Sequence, residues 1–261
     1  YIMEQHHNPF ASKAARLLLI LGVFFVTNAL LAELIGVKIF ALEDSFGWKP
    51  FNWNLFGEKG SLNFTVGVIL WPFVFIMTDI INEYFGLKGV RRLSYLAIIF
   101  IIYAFGIIYL AIELSPAGFW PASNVDKGVP DMQNAYAVIF GQGMWIIAGS
   151  IVAFLLGQLI DVFVFHKIKG MTGEGKIWLR ATGSTAISQI IDSVVVLYIA
   201  FVIGPQHWSV NQWLAIATVN YVYKMTAAVA LTPALYWVHN IIDKFLGKEL
   251  SEKMRAEAMK N

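Results

Sequence analysis

Six runs of about 20 residues or more carry few charges, and each is long enough as a helix to cross roughly 30 Å of hydrocarbon. They cover residues 17–42, 62–81, 93–113, 136–165, 181–203 and 212–242. Only a closed barrel or a helix satisfies its own backbone hydrogen bonds in lipid, and continuous apolar runs of this length select the helix. The expected fold is therefore all-α, a polytopic membrane protein with six transmembrane helices and a single domain over residues 1–261. Charged residues make up 14% of the chain, against about 25% in a soluble domain. The first apolar run is too long for a secretory signal and lacks a small-residue cleavage site, so it is expected to stay as a span. The first, fourth and sixth runs exceed 25 residues and must tilt, bend or project. Bends are expected at Gly36, at Gly141, Gly143 and Gly149, and at Pro233.

Lys and Arg set the expected orientation. Lys13 and Arg16, then Lys88, Arg91 and Arg92, then Lys167, Lys169, Lys176 and Arg180, then five in the C-terminal tail fall on one side. Lys49, Lys59 and Lys127 fall on the other. By the positive-inside rule both termini are cytoplasmic. Residues 43–61 and 114–135, rich in Trp, Phe, Pro, Gly and Asn, then form outer loops, expected to lie at the interface as short re-entrant or amphipathic pieces. The tail after Gly247 alternates Lys248, Glu249, Glu252, Lys253, Arg255 and Glu257, the pattern of a solvated helix end.

Several function classes are excluded early. The chain has no cysteine, which removes disulfides, iron–sulfur clusters, thiolate zinc and thiol catalysis. A net charge of +2 gives no nucleic-acid surface. His6, His7, His166, His207 and His239 show no metal-ligand spacing, and no HExxH, nucleophile elbow or P-loop is present. Asp161 and Asp192 lack a Gly-rich aspartyl motif. Neither a metal, nor a cofactor, nor enzymatic chemistry is expected.

The informative residues are polar ones inside the spans, because a charge at bilayer depth costs about 2.5–3.5 kcal/mol or more. These are Asn28, Glu33 and Lys38 in span one; Asp79, followed by Asn82 and Glu83, at span two; Gln158 and Asp161 in span four; Gln189 and Asp192 in span five; and Asn220 and Lys224 in span six. Asp161 is placed about one turn from the cytoplasmic end, within snorkelling reach of water. Asp192 and Lys224 lie near mid-span. Asp79 and Glu83 share a helix face, as do Ser184, Ser188 and Asp192, a stripe that Arg180 begins. Such a stripe faces the bundle interior or a watery cavity. Plainer readings exist for each: close helix packing for Ser184 and Ser188, a structural ion pair for Asp192 and Lys224, and an interface cluster neutralised by Arg91 and Arg92 for Asp79 and Glu83.

The strings Asn28-Ala-Leu-Leu-Ala-Glu-Leu-Ile-Gly36, Thr78-Asp-Ile-Ile-Asn-Glu-Tyr-Phe-Gly86 and Arg180-Ala-Thr-Gly-Ser-Thr-Ala-Ile-Ser-Gln-Ile-Ile-Asp-Ser193 resemble the queuosine precursor transporter family. Lys224 with Leu231-Thr-Pro-Ala-Leu-Tyr236 is similar to that family's final span. The resemblance implies a bacterial inner-membrane importer of 7-deazaguanine bases, preQ0 and preQ1, the precursors of the tRNA nucleoside queuosine. It also implies a fold like the substrate-binding subunits of energy-coupling-factor importers, without their ATPases. The long first outer loop and the extended third loop depart from the family pattern, so outer gating is expected to differ.

Residue chemistry agrees with such a substrate. A guanine-like edge offers two parallel donors that one carboxylate accepts, and its carbonyl needs a donor such as Gln189, Asn28 or Lys224. Flat heteroaromatic rings stack on aromatic walls. The expected roles are Asp192 and Gln189 at the base edge and Asp79 with Glu83, next to Asn82, as a second acidic contact or proton-linked gate. Glu33 and Asn28 line the route and Lys224 balances Asp192, with Arg180, Ser184, Ser188 and Asp161 in support. The partners are the base and the lipid bilayer; a homo-oligomer stays open, since lipid-facing and partner-facing surfaces look alike in composition. The alternatives are an importer of another vitamin or nucleobase with an energising partner, a membrane enzyme or scaffold, and an ion channel.

Overall fold

The computed structural model describes residues 12–141, 143–172 and 177–258. Among these, five helical stretches are long and apolar enough to cross a membrane: Lys13–Ile35, Val66–Glu113, Met132–Asp161, Ala186–Ile203 and Val210–Leu246. The chain is a polytopic α-helical membrane protein. Helix α1 (Lys13–Ile35) begins where the Ser12 hydroxyl accepts from the Ala15 amide, the usual N-cap device. Leu17, Leu21, Phe25, Asn28, Ala29 and Ala32 face the bundle, while Leu19, Ile20, Val23 and Phe24 are exposed. That inverted pattern, apolar on both faces, is what lipid rather than water selects.

Helix α1 ends at Gly36, earlier than the expected residue 42, so Lys38 lies beyond the span and is exposed. The expected loop 43–61 is instead folded as strands. Strand β1 (Ile39–Ala41) pairs antiparallel with β4 (Asn63–Thr65), and β2 (Trp53–Leu55) pairs with β3 (Glu58–Gly60). Between β1 and β2 lies a short helix, α2 (Leu42–Phe46). The β2–β3 turn holds Phe56 and Gly57 at φ 52° and 84°, the two positive values of a type I′ hairpin turn.

The second and third expected spans are two limbs of one long element, α3 (Trp71–Glu113), entered through a 3-10 turn at Val66–Ile69. As a straight 43-residue helix α3 would run about 65 Å, twice the hydrocarbon thickness. It breaks at Gly86, whose φ of 65° and ψ of −171° leave the helical region; that conformation is open only to glycine at little cost. The fourth span divides into α4 (Met132–Gly141) and α5 (Met144–Thr172), as the glycines there suggest. Helix α6 (Ile177–Leu197) widens into a π turn at Tyr198–Ile203 before α7 (Val210–Leu246). Pro233 is accommodated inside α7, so it does not end the helix.

The C-terminal segment corrects the expectation of a solvated end. Helix α8 (Lys248–Ala258) buries Ser251, Met254 and Ala258, and an added Cβ on Gly86 would meet the Ala258 carbonyl at 2.8 Å. Arg255 donates to Asp243 at 2.8 Å and to the Tyr84 hydroxyl at 2.8 Å, and lies 4.0 Å from Glu83. One end of the bundle thus collects the start of α1, the break in α3 and the end of α7, since Lys13 also reaches the Leu246 carbonyl at 3.3 Å.

Close packing of α5 on α6 uses the small residues expected in lipid. A Cβ on Gly149 would stand 2.8 Å from the Val196 carbonyl oxygen. Gly149→Val is expected to push the two helices apart and lower stability by about 1–3 kcal/mol. Thermal unfolding in detergent checks this; an unchanged melting temperature would refute the close approach.

Candidate functional site

A cavity of about 410 Å³ lies where α1, the strands, α6 and α7 meet. Its size lies within the range that holds one small molecule. Helix α1 contributes Glu33, one turn before the helix ends at Gly36. Ser150 of α5 stands beside the Glu33 carboxyl. Helix α6 contributes Asp192 and Ser193, and α7 contributes Gln212, Asn220 and Lys224. Aromatic walls come from Trp53, Phe64, Trp71, Phe201 and Trp208. Phe201 and Trp208 stack on each other at 4.2 Å between centroids, while Phe64 packs on Tyr223 at 4.6 Å.

Lys224 donates to Asp192 within the buried wall. The two residues are 7% and 6% exposed, so neither charge is left to water. Their meeting requires α6 and α7 to be neighbours, which sequence spacing alone did not show. A lone charge at this depth is expensive, and the pair removes that cost from both helices. Lys224 was expected to balance Asp192, and the structure places the two side chains in contact. Glu33, on the same cavity wall, has no basic side chain bonded to it among the described residues.

The other expected site residues sort into different places. Asp79 sits within electrostatic reach of Asp161 and Glu83, away from the cavity lining. Asp161 was expected to snorkel; it is instead buried, with the Ser188 hydroxyl donating to it at 3.4 Å and Ser184 beside it. The reason is length: α5 continues to Thr172, so Asp161 lies about 16 Å of helix short of that end. The stripe Ser184, Ser188, Asp192 is therefore divided, with its serines turned to α5 and its aspartate to α7. Glu83 meets Arg255 of α8, where Arg91 and Arg92 had been the expected neutralisers.

Gln189 is 1% exposed, lies off the cavity lining, and among the described residues has no hydrogen-bond partner for either amide atom. Although only three residues and about 60° of helix rotation separate it from Asp192, Asp192 lines the cavity and Gln189 does not. Asn28 is also off the wall and donates back to the Phe24 carbonyl at 2.8 Å. Asn82 is buried next to the Asp79 turn, and its amide nitrogen has no hydrogen-bond partner among the described residues. The side chains of Arg180 and Gln158 lie outside the described residues. Sequence reasoning missed Ser150, Ser193, Gln212 and the outer Trp53 and Glu43. Their only signal was composition, because small polar residues and loop aromatics carry no periodicity.

Helical architecture defines a multi-pass α-helical membrane protein, with a cavity of mixed polar and apolar walls among its helices. Residues 65–238 match the family described as "Putative vitamin uptake transporter", and the chain belongs to that family. A protein of Escherichia coli (strain K12) named queuosine precursor transporter is 26% identical over 195 residues, covering 75% of this chain and 80% of the relative. A Bacillus subtilis (strain 168) protein named probable queuosine precursor transporter is 27% identical over 186 residues, 71% of this chain and 76% of its own. A Haemophilus influenzae protein of that same name is 25% identical over 198 residues, 75% of this chain and 77% of its own. No solved structure matches the chain.

The ion pair gives a direct test. Lys224→Met leaves a buried aspartate alone and is expected to cost about 3–5 kcal/mol. The double change Asp192→Asn with Lys224→Met is expected to restore most of that stability. Melting of the purified proteins measures both, and equal loss in single and double variants would show that the pair is not the relevant interaction.

Proposed function

We propose that this chain imports 7-deazaguanine bases, preQ0 and/or preQ1, for salvage into queuosine-modified tRNA. The observation that carries the reading is the cavity itself, which joins Glu33 and the Asp192–Lys224 pair to flat aromatic walls. The names of the three relatives support the same substrate class. A guanine-like edge donates from N1–H and an exocyclic amine, and a carboxyl on the wall accepts both. Glu33 is the better-placed acceptor, since Lys224 already engages one oxygen of Asp192. Lys224 or Gln212 then donates to the base carbonyl, and Trp71 and Phe64 offer faces for the ring.

In this reading the chain is one domain over residues 1–261 with six crossings, counting the two limbs of α3 separately. It lies in the bacterial inner membrane with both termini cytoplasmic, and acts as a carrier rather than an enzyme. The cluster of Asp79, Glu83 and Asp161 lies on the exit side, where it serves as a second acidic contact or proton-linked gate.

Queuosine in tRNA is the decisive readout, in bacteria lacking both preQ0 synthesis and their own importer, expressing this chain and fed low preQ0 or preQ1. Restored queuosine is expected. Its absence with the protein present in the membrane would move the assignment to another vitamin or nucleobase. Glu33→Gln is expected to lower uptake about 10- to 100-fold at unchanged protein abundance, the worth of a hydrogen bond to a charged group. Uptake equal to the parent would remove Glu33 from the site.

A further inference from the structure

The outer segment between β1 and β4 is clipped shut at its base by one side chain. The Glu43 carboxylate accepts from the Phe51 amide at 3.2 Å and from the Leu62 amide at 2.7 Å, both through the same oxygen. Beside it the Leu42 amide donates to the Leu62 carbonyl at 2.9 Å. Residues 51–62 therefore leave and return to one point, and the β2–β3 hairpin projects from it as a unit. Glu43 is 2% exposed although it lies in the short helix α2, outside the helices that cross the membrane. Burial alone would raise its carboxyl above the usual glutamate range, but the Leu62 and Phe51 amides outweigh that and hold it lower. An ionised acceptor makes the two bonds stronger than neutral ones.

The hairpin held this way forms the outer wall of the cavity. Trp53, Glu58, Lys59, Gly60 and Ser61 all line it. The Trp53 indole lies across its strand partner Gly60, where an added Cβ would sit 2.3 Å from the ring, and its Nε1 donates to the Ser61 carbonyl at 2.9 Å. A glycine is required opposite the indole because any side chain there would displace it. The aromatic plug is thus set by the hairpin and the hairpin by Glu43.

We propose that the β2–β3 hairpin is the outer lid of the substrate cavity and that Glu43 is its positioning residue, holding Trp53 over the opening without touching the substrate. The inference rests on the cavity being the substrate site, and it adds a gate to that site. Breaking the clip frees the hairpin locally, because a short two-stranded ribbon has little stability of its own.

The chain's lack of cysteine permits a direct test in spheroplasts with a membrane-impermeant thiol reagent. Ile216→Cys places a thiol on the cavity wall, and Ser94→Cys places one in the buried core away from it. Adding Glu43→Ala is expected to raise labelling at position 216 about tenfold or more while position 94 stays unlabelled. Glu43→Gln, which keeps an acceptor oxygen, is expected to label at close to the parent rate. Should Glu43→Ala fail to accumulate, Trp53→Ala leaves the clip intact, removes the plug, and is expected to give the same acceleration. Unchanged labelling at 216, or labelling at both positions, overturns the lid. Protection of position 216 by added preQ1 reports separately on the substrate. Acceleration by Glu43→Ala without such protection upholds the lid and removes the base assignment.

Discussion

Two charges that the bilayer would reject separately, Asp192 and Lys224, are tolerated because they meet. Their contact joins α6 to α7 at the wall of the main cavity, and the architecture around it follows from that join. Helix α5 must pack tightly behind α6, which the glycine at 149 permits. Helix α1 must end at Gly36 so that Glu33 reaches the same space and the chain can turn into β1. In water an ion pair of this kind adds little. At bilayer depth a charge without a partner is costly, so the pair favours α6 and α7 as neighbours.

Three acids of α3 and α5 lie off the cavity that this pair lines. Asp79, Asp161 and Glu83 form a second level of charge. The second level is tied to the end of the bundle through Arg255, Tyr84 and Asp243. The hydroxyls of Ser184 and Ser188 serve the second level while Asp192, on the same helix face, serves the first. One stripe on α6 therefore connects both.

The ends of the molecule obey different rules from its middle. Outside the hydrocarbon, backbone groups can pair as short strands, and the segment between α1 and α3 does so twice. Its hydrogen bonds converge on Glu43 rather than on a large hydrophobic core, since a segment of this length cannot bury enough apolar surface to order itself. At the opposite end α8 is amphipathic and uses Met254 and Ala258 to cover the break at Gly86. Its charged faces made it look solvated, but only one side of the helix is.

Helical class, membrane residence and the position of most spans were legible in the sequence, because the hydrocarbon thickness imposes a length on every crossing and forbids unpaired backbone there. The need to explain Glu33, Asp192 and Lys224 was legible for the same reason: a charge at depth demands a partner. The identity of that partner was not, since contacts between α6 and α7 depend on how the helices rotate about their axes. Rotation put Asp192 on the cavity wall and its near neighbour Gln189 off it. It also turned Asp161 to the serines of α6. Glu43 was invisible in sequence because its role depends on two amides 8 and 19 residues away, brought together only when the strands pair. Local periodicity specified the elements; which side chains share a cavity was decided only by packing them.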